Sequence, residues 1–187
     1  MDPAHDNPDV GYDDAYLVRR AREGYLDAYE ILLARHAPRV YRVALRLLNN
    51  PDDAEDVTQE VLVAAWQALP RFRAEANFTT WLYRIVTTRA LNFINRTRRP
   101  DPLDAAAKVA DQSPGPAEQT ELAYTSRAVA NAIAALPPPQ RVALVLHQFE
   151  NLTYAQIADI TATTVPAVRS HLHRARRTLA TRLQDWR

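Results

Sequence analysis

The stretch LTYAQIADITATTVPAVRSHLHRARRTL, at residues 152–179, decides the fold of the C-terminal part of this chain. Its T-x-x-Q spacing at residues 153–156 is that of a capping box and predicts a short helix over residues 154–160. A tight turn over residues 161–164 and a longer helix over about residues 165–184 follow. The apolar residues of the longer helix recur at helical spacing and share one buried face: Val168, Leu172, Ala175, Leu179 and Leu183. These features predict a helix-turn-helix.

The outer surface of the longer helix is rich in basic and hydrogen-bonding side chains. An α-helix fits the major groove of DNA, and the N-terminal part of a recognition helix meets the base edges. The candidates for base readout, or for phosphate contacts further along the helix, are Thr164, Ala167, Arg169, Ser170, His171, Arg174, Arg176 and Arg177. The alternative is an amphipathic helix whose basic face is merely solvated.

The composition of the whole chain favours the same structural class. The chain has 187 residues and only 3 glycines, fewer than the turns of a β-rich or phosphate-cradling α/β protein generally need. Its 13 prolines cluster between periodic segments, where they end helices. We therefore predict an all-α protein of two small helical domains joined by a flexible linker.

The predicted domain boundaries follow the periodicity and the proline content. An acidic tail over residues 1–14 precedes a helical domain over residues 15–98. Residues 99–119 contain four prolines and one glycine and are predicted to be the linker. A second helical domain then occupies residues 120–187, with helices over about residues 121–136 and 140–149 ahead of the helix-turn-helix.

Capping residues and prolines predict the helices of the first domain. Asn50, followed by Pro51, predicts a helix that runs to about Leu69. Pro38 predicts an earlier helix boundary, and Asn77 can cap a helix over residues 78–98. The inner face of that last helix is predicted to carry Trp81, Leu82, Ile85, Leu91 and Ile94.

Three features that this sequence lacks argue against particular classes of protein. Without cysteine the chain has no disulfide framework, no thiolate zinc site and no cysteine nucleophile. No apolar run approaches the roughly 20 residues of a membrane-spanning helix. The first residues also lack the basic end and apolar stretch of a secretion signal. We expect a cytoplasmic protein that does not insert into membranes, holds no metal and uses no cofactor.

The net charge of the chain is only +1, but its acidic and basic residues are unevenly distributed along the sequence. Residues 52–60 contain five acidic residues and no base, whereas residues 71–99 contain seven arginines against Glu75. A second basic block, at residues 169–187, has six arginines against Asp185. Two separate basic blocks indicate two contacts with a polyanion, and a compact acidic block indicates a basic protein partner. Solvated helix faces are the alternative for each block.

Three segments in order resemble one protein family. Residues 152–179 resemble the promoter-binding region 4.2 of bacterial extracytoplasmic-function (group 4) RNA polymerase sigma factors, which belong to the sigma-70 family. DAEDVTQEV, at residues 53–61, resembles that family's D-A-E-D-x-x-Q-E-x segment, and FRAEANFTTWLYRI, at residues 72–85, its F-x-x-x-x-x-F-x-T-W-L-x-R-I stretch. The resemblance covers nearly all of residues 20–184.

The resemblance implies a polymerase-binding helix. The D-A-E-D helix would dock on the clamp coiled coil of the largest subunit of core RNA polymerase, with polar contacts from Asp53, Asp56, Gln59 and Glu60. An acidic face suits a basic helical partner, since complementary charge speeds encounter and fixes register. Stabilisation of the helix N-terminus is one alternative for the acids. A metal site at Asp53 and Asp56 is another, although no histidine accompanies them.

The resemblance also implies promoter contacts at two places. Residues 71–99 would bind and open the −10 element, and the helix-turn-helix would bind the −35 element. An unstacked base needs a pocket of stacking and hydrogen-bonding groups, and Asn77, Phe78 and Thr80 are residues of suitable type for it. Trp81 is either a stacking wedge or a core residue. The −10 candidates are Arg73, Asn77, Phe78, Thr80, Arg84, Thr88, Arg89 and Asn92.

The predicted function is therefore that of a sigma factor, not an enzyme. It would bind core RNA polymerase, recognise the −35 and −10 elements of promoter DNA and promote melting of the −10 element. The resemblance also implies an anti-sigma partner. One alternative is an autonomous helix-turn-helix regulator that binds duplex DNA without polymerase. A small metal-dependent hydrolase is the other, and the lack of a His-carboxylate cluster argues against it.

Overall fold

The structure is a computed structural model, and it describes residues 12–72, 77–98 and 121–184. The predicted linker, most of the predicted acidic tail and Arg73 lie outside these residues. Every regular element in the described ranges is a helix. They are α1 (Asp14–Arg22), α2 (Leu26–Leu48), α3 (Pro51–Ala68), a 3-10 turn (Leu69–Arg71), α4 (Phe78–Arg98), α5 (Glu121–Ala134), α6 (Pro138–Gln148), α7 (Tyr154–Ile160) and α8 (Val165–Arg182).

Side-chain caps fix the beginnings of α3 and α4, as the sequence predicts. The Asn50 Oδ1 accepts hydrogen bonds from the backbone N–H groups of Asp52 and Asp53, at 2.9 and 3.2 Å. The Asn77 Oδ1 accepts from the Thr80 N–H at 2.7 Å. Each cap satisfies donors that have no partner inside the first helical turn, so both helices begin at the residue that follows the cap.

The predicted helix boundary at Pro38 is wrong, because α2 continues through this residue to Leu48. A proline inside a helix removes one hydrogen bond and costs about 3 kcal/mol relative to alanine. Burial of the same helix offsets that cost, since Leu32, Val43 and Leu47 are each 0% exposed. Tertiary packing of the 23-residue helix therefore overrides the local signal.

The inner face of α4 is rotated relative to the prediction. Leu82 and Ile94 are buried as expected, but Trp81, Ile85 and Leu91 are only partly buried. Five of the buried apolar residues recur every four positions: Phe78, Leu82, Val86, Ala90 and Ile94. Tyr83 is also buried but does not follow this spacing. This helix packs against α2 and α3 on one side and α6 and α7 on another, so its buried surface is wider than one amphipathic stripe.

The C-terminal module, α5 to α8, contains the predicted helix-turn-helix. Thr153 and Gln156 form both hydrogen bonds of the capping box, and α7 has the predicted bounds. The Thr164 Oγ1 accepts from the Ala167 N–H at 3.3 Å and caps α8. Of the five residues predicted to be buried on this helix, Val168, Leu172 and Ala175 are buried, whereas Leu179 and Leu183 are only partly buried. At α6, prolines occupy the first helical positions, where no N–H partner is needed, so the helix begins at Pro138.

The turn between α7 and α8 contains a strained alanine. Ala162 has a φ of +50°, a left-handed conformation in which a Cβ atom costs about 1 kcal/mol or more. We expect Ala162→Gly to raise the free energy of unfolding by about 0.5–1 kcal/mol, measured by urea denaturation. Ala130→Gly, at an exposed position inside α5, is the matched control and should lower it. A loss of stability in both variants would contradict this account of the turn.

The two modules pack directly on each other, an arrangement that the prediction of two tethered domains did not include. Helices α2 and α4 of the N-terminal module contact α5, α6 and α7 of the C-terminal module. Arg141 of α6, which is 5% exposed, donates to the backbone carbonyl of Leu47 in α2 and to those of Ala134 and Leu136. The apolar core is therefore continuous across both modules.

Candidate functional site

One face of α3 presents acidic and amide side chains to solvent. Asp56, Gln59 and Glu60 are exposed, and Asp53 is partly buried in the first turn. The exposed three line a shallow groove of about 480 Å³ together with Val63, which is 56% exposed. Val63 is not among the residues predicted for this face, although its spacing of i+7 from Asp56 and i+3 from Glu60 places it there. The face combines negative charge with an apolar centre, as a protein-binding surface does.

The described residues offer no metal site at these acids. Within residues 12–72, 77–98 and 121–184, no group of three His, Asp or Glu side chains comes together at metal-binding distance. Asp53 and Asp56 therefore have no third ligand in this part of the chain. Among the helices that the structure describes, none has the length and apolar content to cross a membrane.

A second groove lies between α3 and α4 and is lined by arginines. Arg71, Arg84 and Arg89 border a space of about 420 Å³, with Thr88 at its edge. All three arginines are exposed. Arg71 was counted in the basic block but not assigned a role, since sequence spacing alone does not place the 3-10 turn beside α4. Three guanidinium groups on one groove favour a polyanionic partner.

Two of these arginines are already paired with carboxylates. The Arg84 Nη2 lies 2.7 Å from an Asp159 carboxylate oxygen of α7, and the Arg89 Nη1 lies 3.6 Å from a Glu60 carboxylate oxygen of α3. All four side chains are substantially exposed, so each pair contributes little to stability. Asn92 is exposed on the same helix, and the Thr88 hydroxyl donates to the Arg84 carbonyl at 2.8 Å.

The proposed base-receiving residues do not lie together on the surface. Asn77 is exposed and caps α4, but Phe78 and Thr80 are 5% and 7% exposed. The Phe78 ring packs near the rings of His36, Phe72 and Trp81, with centroids 5.2, 6.1 and 5.5 Å away. In this arrangement Phe78 and Thr80 are therefore largely covered by neighbouring residues, and the ring packing supports the core role of Trp81. Arg73, another of the −10 candidates, lies outside the described residues.

The surface of α8 carries most of the predicted readout residues. Four exposed arginines project from it: Arg169, Arg174, Arg176 and Arg177. Thr164 is exposed at the cap, while Ala167 and Ser170 are partly buried. His171 differs from the prediction, because its Nδ1 is buried and the residue borders a cavity of about 310 Å³ beside Leu91 of α4. Leu91 of the neighbouring module therefore lies across a cavity from this part of the predicted readout surface.

Comparison with known proteins agrees with this geometry. The family described as Sigma-70 region 2 matches residues 32–100, and the family described as Sigma-70, region 4 matches residues 126–179. The RNA polymerase sigma-H factor of Pseudomonas aeruginosa is 33% identical over 181 residues, which cover 91% of this chain and 94% of that protein. This chain belongs to the extracytoplasmic-function RNA polymerase sigma factors. The sigma-E factor of Escherichia coli K12, named as such a factor, is 31% identical over 91% of this chain and 94% of its own length.

Two solved structures have the same fold as this chain. CnrH in complex with the cytosolic domain of CnrY matches with a TM-score of 0.70 and 25% identity, over 92% of this chain and 97% of CnrH. The sigma factor RpoE of Bartonella quintana, in complex with the anti-sigma factor NepR, matches with a TM-score of 0.70 and 23% identity, over 83% and 96% of the two chains. In this sigma factor, the region 2 match lies on α2 to α4 and the region 4 match on α5 to α8.

Proposed function

We propose that this sigma factor binds core RNA polymerase through the acidic face of α3. Asp56, Gln59 and Glu60 line one groove with the exposed Val63, so the face places polar groups beside an apolar side chain. A basic helical surface, such as the clamp coiled coil of the largest subunit, is the complementary partner. Asp53 lies one turn earlier on the same helix and extends the charged surface toward its N-terminus.

Promoter DNA would meet the chain at two other places. The −10 element would lie along the exposed side of α4, at Asn77, Arg84, Thr88, Arg89 and Asn92, with Arg71 as an added phosphate contact. The −35 element would meet the N-terminal part of α8, where Arg169 and Arg174 are exposed, with Arg176 and Arg177 nearer the phosphates. The observation that carries this proposal is an acidic face on α3, next to one arginine-lined groove that it meets at Glu60 and Arg89, together with a second arginine-rich surface on α8. These surfaces supply one protein contact and two polyanion contacts.

Relatives suggest the remaining partners. CnrH and RpoE were each solved with a second protein, CnrY and the anti-sigma factor NepR respectively. We extend this to an anti-sigma partner for the present chain. Binding to polymerase would place the chain in the bacterial cytoplasm, and no step of the proposed function makes or breaks a covalent bond.

Run-off transcription tests the proposed function directly. Purified chain and core polymerase are incubated with genomic promoter fragments, and we expect transcripts that depend on the added chain. Core polymerase alone is the control. Tight, specific binding to duplex DNA without polymerase, together with no stimulated transcript, would instead favour an autonomous helix-turn-helix regulator.

Arg174 tests the readout role of α8. If its exposed guanidinium pairs with a base, Arg174→Ala should weaken −35 binding by about 1–3 kcal/mol and relax specificity at one position. Affinity is measured with holoenzyme on a set of single-substitution −35 sequences at fixed salt. Arg182→Ala, at the far end of α8, is the matched control and should weaken all sequences equally. A uniform loss in the Arg174 variant would make this residue a phosphate contact.

A further inference from the structure

One edge of α1 carries tyrosine and arginine side chains that stack on one another. The Tyr12 and Tyr16 ring centroids lie 4.7 Å apart at an interplanar angle of 17°, so the two rings are stacked. The Arg19 guanidinium carbon lies 5.9 Å from the Tyr16 ring centroid, and that of Arg20 lies 3.4 Å from the Tyr25 ring centroid. We call these five residues the Tyr/Arg row.

The row is open to solvent, while the opposite side of α1 is buried. Tyr12 is 51% exposed and Tyr25 is 44% exposed, whereas Leu17, Val18 and Ala21 face the core. Stacking among the members of the row already orients the rings, so a ligand that packs on them loses less side-chain entropy. Exposed, oriented π-faces suit a partner that itself presents flat rings.

The charges near the row favour an anionic partner. Arg19 and Arg22 are exposed, and neither pairs with a carboxylate among the residues that the structure describes. The acids of this region each have a partner: Asp13 caps α1, Asp14 pairs with Arg35, and Glu23 pairs with Arg20. The two unpaired guanidinium groups are therefore left to meet an anion such as a phosphate.

The row lies beside the surface that we propose for the −10 element. The Asp14 Oδ2 of α1 lies 2.8 Å from the His36 Nε2, and the His36 ring lies 5.2 Å from the ring of Phe78, the first residue of α4. Helix α1 also contacts the 3-10 turn that ends at Arg71. The start of α4 and the arginine groove therefore adjoin α1.

The order of the elements gives the row a position along the promoter. Arg84, further along α4, pairs with Asp159 of α7, in the module proposed to bind the −35 element. The −35 element lies upstream of the −10 element, so this part of α4 faces upstream. The beginning of α4, next to α1, then faces downstream, and the row lies where a DNA strand leaves the −10 element in that direction.

We propose that the Tyr/Arg row binds the single-stranded bases immediately downstream of the −10 element. This inference rests on the proposed function, because melting of the −10 element supplies the single strand. Unpaired bases would stack on the tyrosine rings, and Arg19 and Arg22 would contact the phosphates between them. Every base has a π-face, so this contact tolerates different sequences. It would hold the melted strand open beyond the element that is read.

Binding of holoenzyme to partly single-stranded promoter probes tests the row. Each probe is taken from a promoter found by run-off transcription, and its −10 strand ends at the element or continues for about four nucleotides. We expect the extension to tighten binding at least about fivefold. Tyr12→Leu with Tyr25→Leu should remove most of this gain, because leucine keeps apolar volume but has no π-face. Circular dichroism verifies that the variant is folded, and its affinity for the short probe should equal that of wild type.

Abasic nucleotides separate base stacking from phosphate contacts. An abasic extension keeps the phosphates, so wild type and the tyrosine variant should bind it equally. Arg19→Ala with Arg22→Ala should instead weaken binding to both extensions alike and reduce the dependence on salt. Phe149→Leu removes an aromatic side chain of the C-terminal module that is 40% exposed, and as the matched control it should keep the full gain.

Three results would overturn the proposal. The first is a wild-type holoenzyme that gains nothing from the extension, and the second is a tyrosine variant that keeps the whole gain. The third is a tyrosine variant that binds both probes and core polymerase more weakly, since the row would then be a protein-binding surface. A wild-type chain that never supports run-off transcription would refute the proposed function itself.

Discussion

Replacing Asp56 and Glu60 of α3 by arginine is expected to abolish association with core polymerase while leaving helical content unchanged. Both carboxylates are exposed, so reversing their charge removes no buried contact of the fold. At an interface with a basic surface, each reversal replaces an attraction with like-charge repulsion, which costs several kcal/mol. We therefore expect the double variant to bind about a hundredfold or more weakly, measured by fluorescence titration of labelled chain with core polymerase.

Two controls distinguish an effect of the acidic face from an effect of net charge and from an effect on the arginine groove. Asp27→Arg with Glu30→Arg, at exposed positions of α2, changes the net charge equally and should bind normally. Because Glu60 lies 3.6 Å from Arg89, its reversal also disturbs the arginine groove. Asp56→Arg alone avoids that contact and should still weaken binding. Equal affinity of the Asp56 variant and the α2 control would remove α3 from the polymerase interface.

Short-range signals predicted the helix-turn-helix well. The capping box at Thr153 depends on residues within three positions and forms as predicted, and the structure shows a similar short-range cap at Thr164. Asn50 and Asn77 begin α3 and α4 for the same reason. Such signals are readable from sequence because the donor and acceptor lie within one helical turn.

Predictions that depended on long-range packing were less accurate. Pro38 was expected to end a helix, but the buried side chains around it keep α2 continuous. Phe78 was expected near an unstacked base, and it packs in an aromatic cluster with the nearby Phe72 and Trp81 and with His36, which is distant in the chain. His171 was placed on an exposed helical face, yet the N-terminal module borders it. Residue type and spacing do not reveal which face a second module covers.

The connection between the modules was also invisible in the sequence. No sequence pattern around Arg141 indicates that it joins the two modules, because its partners are backbone carbonyls rather than acidic side chains. Glu150 follows α6 as a single acid between Phe149 and Asn151, yet its side chain is 4% exposed and lies 3.4 Å from the Arg39 Nε of α2. A charged residue near a helix end ordinarily reads as solvated, because long charged side chains are almost never fully buried without partners.

Arg141→Met is expected to cost about 3 kcal/mol of the free energy of unfolding, the largest loss among the substitutions considered. The Arg141 guanidinium donates to the carbonyls of Leu47, near the C-terminus of α2, of Ala134, the last residue of α5, and of Leu136 just beyond it. The last carbonyls of a helix lack partners within it and carry the negative end of its dipole. Methionine keeps much of the side-chain volume but leaves these buried acceptors unsatisfied, at about 1–3 kcal/mol for each lost partner.

Urea denaturation followed by circular dichroism measures that loss, and two variants define its cause. Arg127→Met makes the same substitution at an exposed position of α5 and should change stability little. Arg141→Lys keeps the charge but not the planar fork that reaches several carbonyls, so it should recover only part of the loss. If all three variants denatured at the wild-type urea concentration, the guanidinium would not be needed to join α2 to the C-terminal module. The expected ranking of Arg141→Met below Arg141→Lys below wild type would show that helix-end carbonyls on both modules depend on one buried cation.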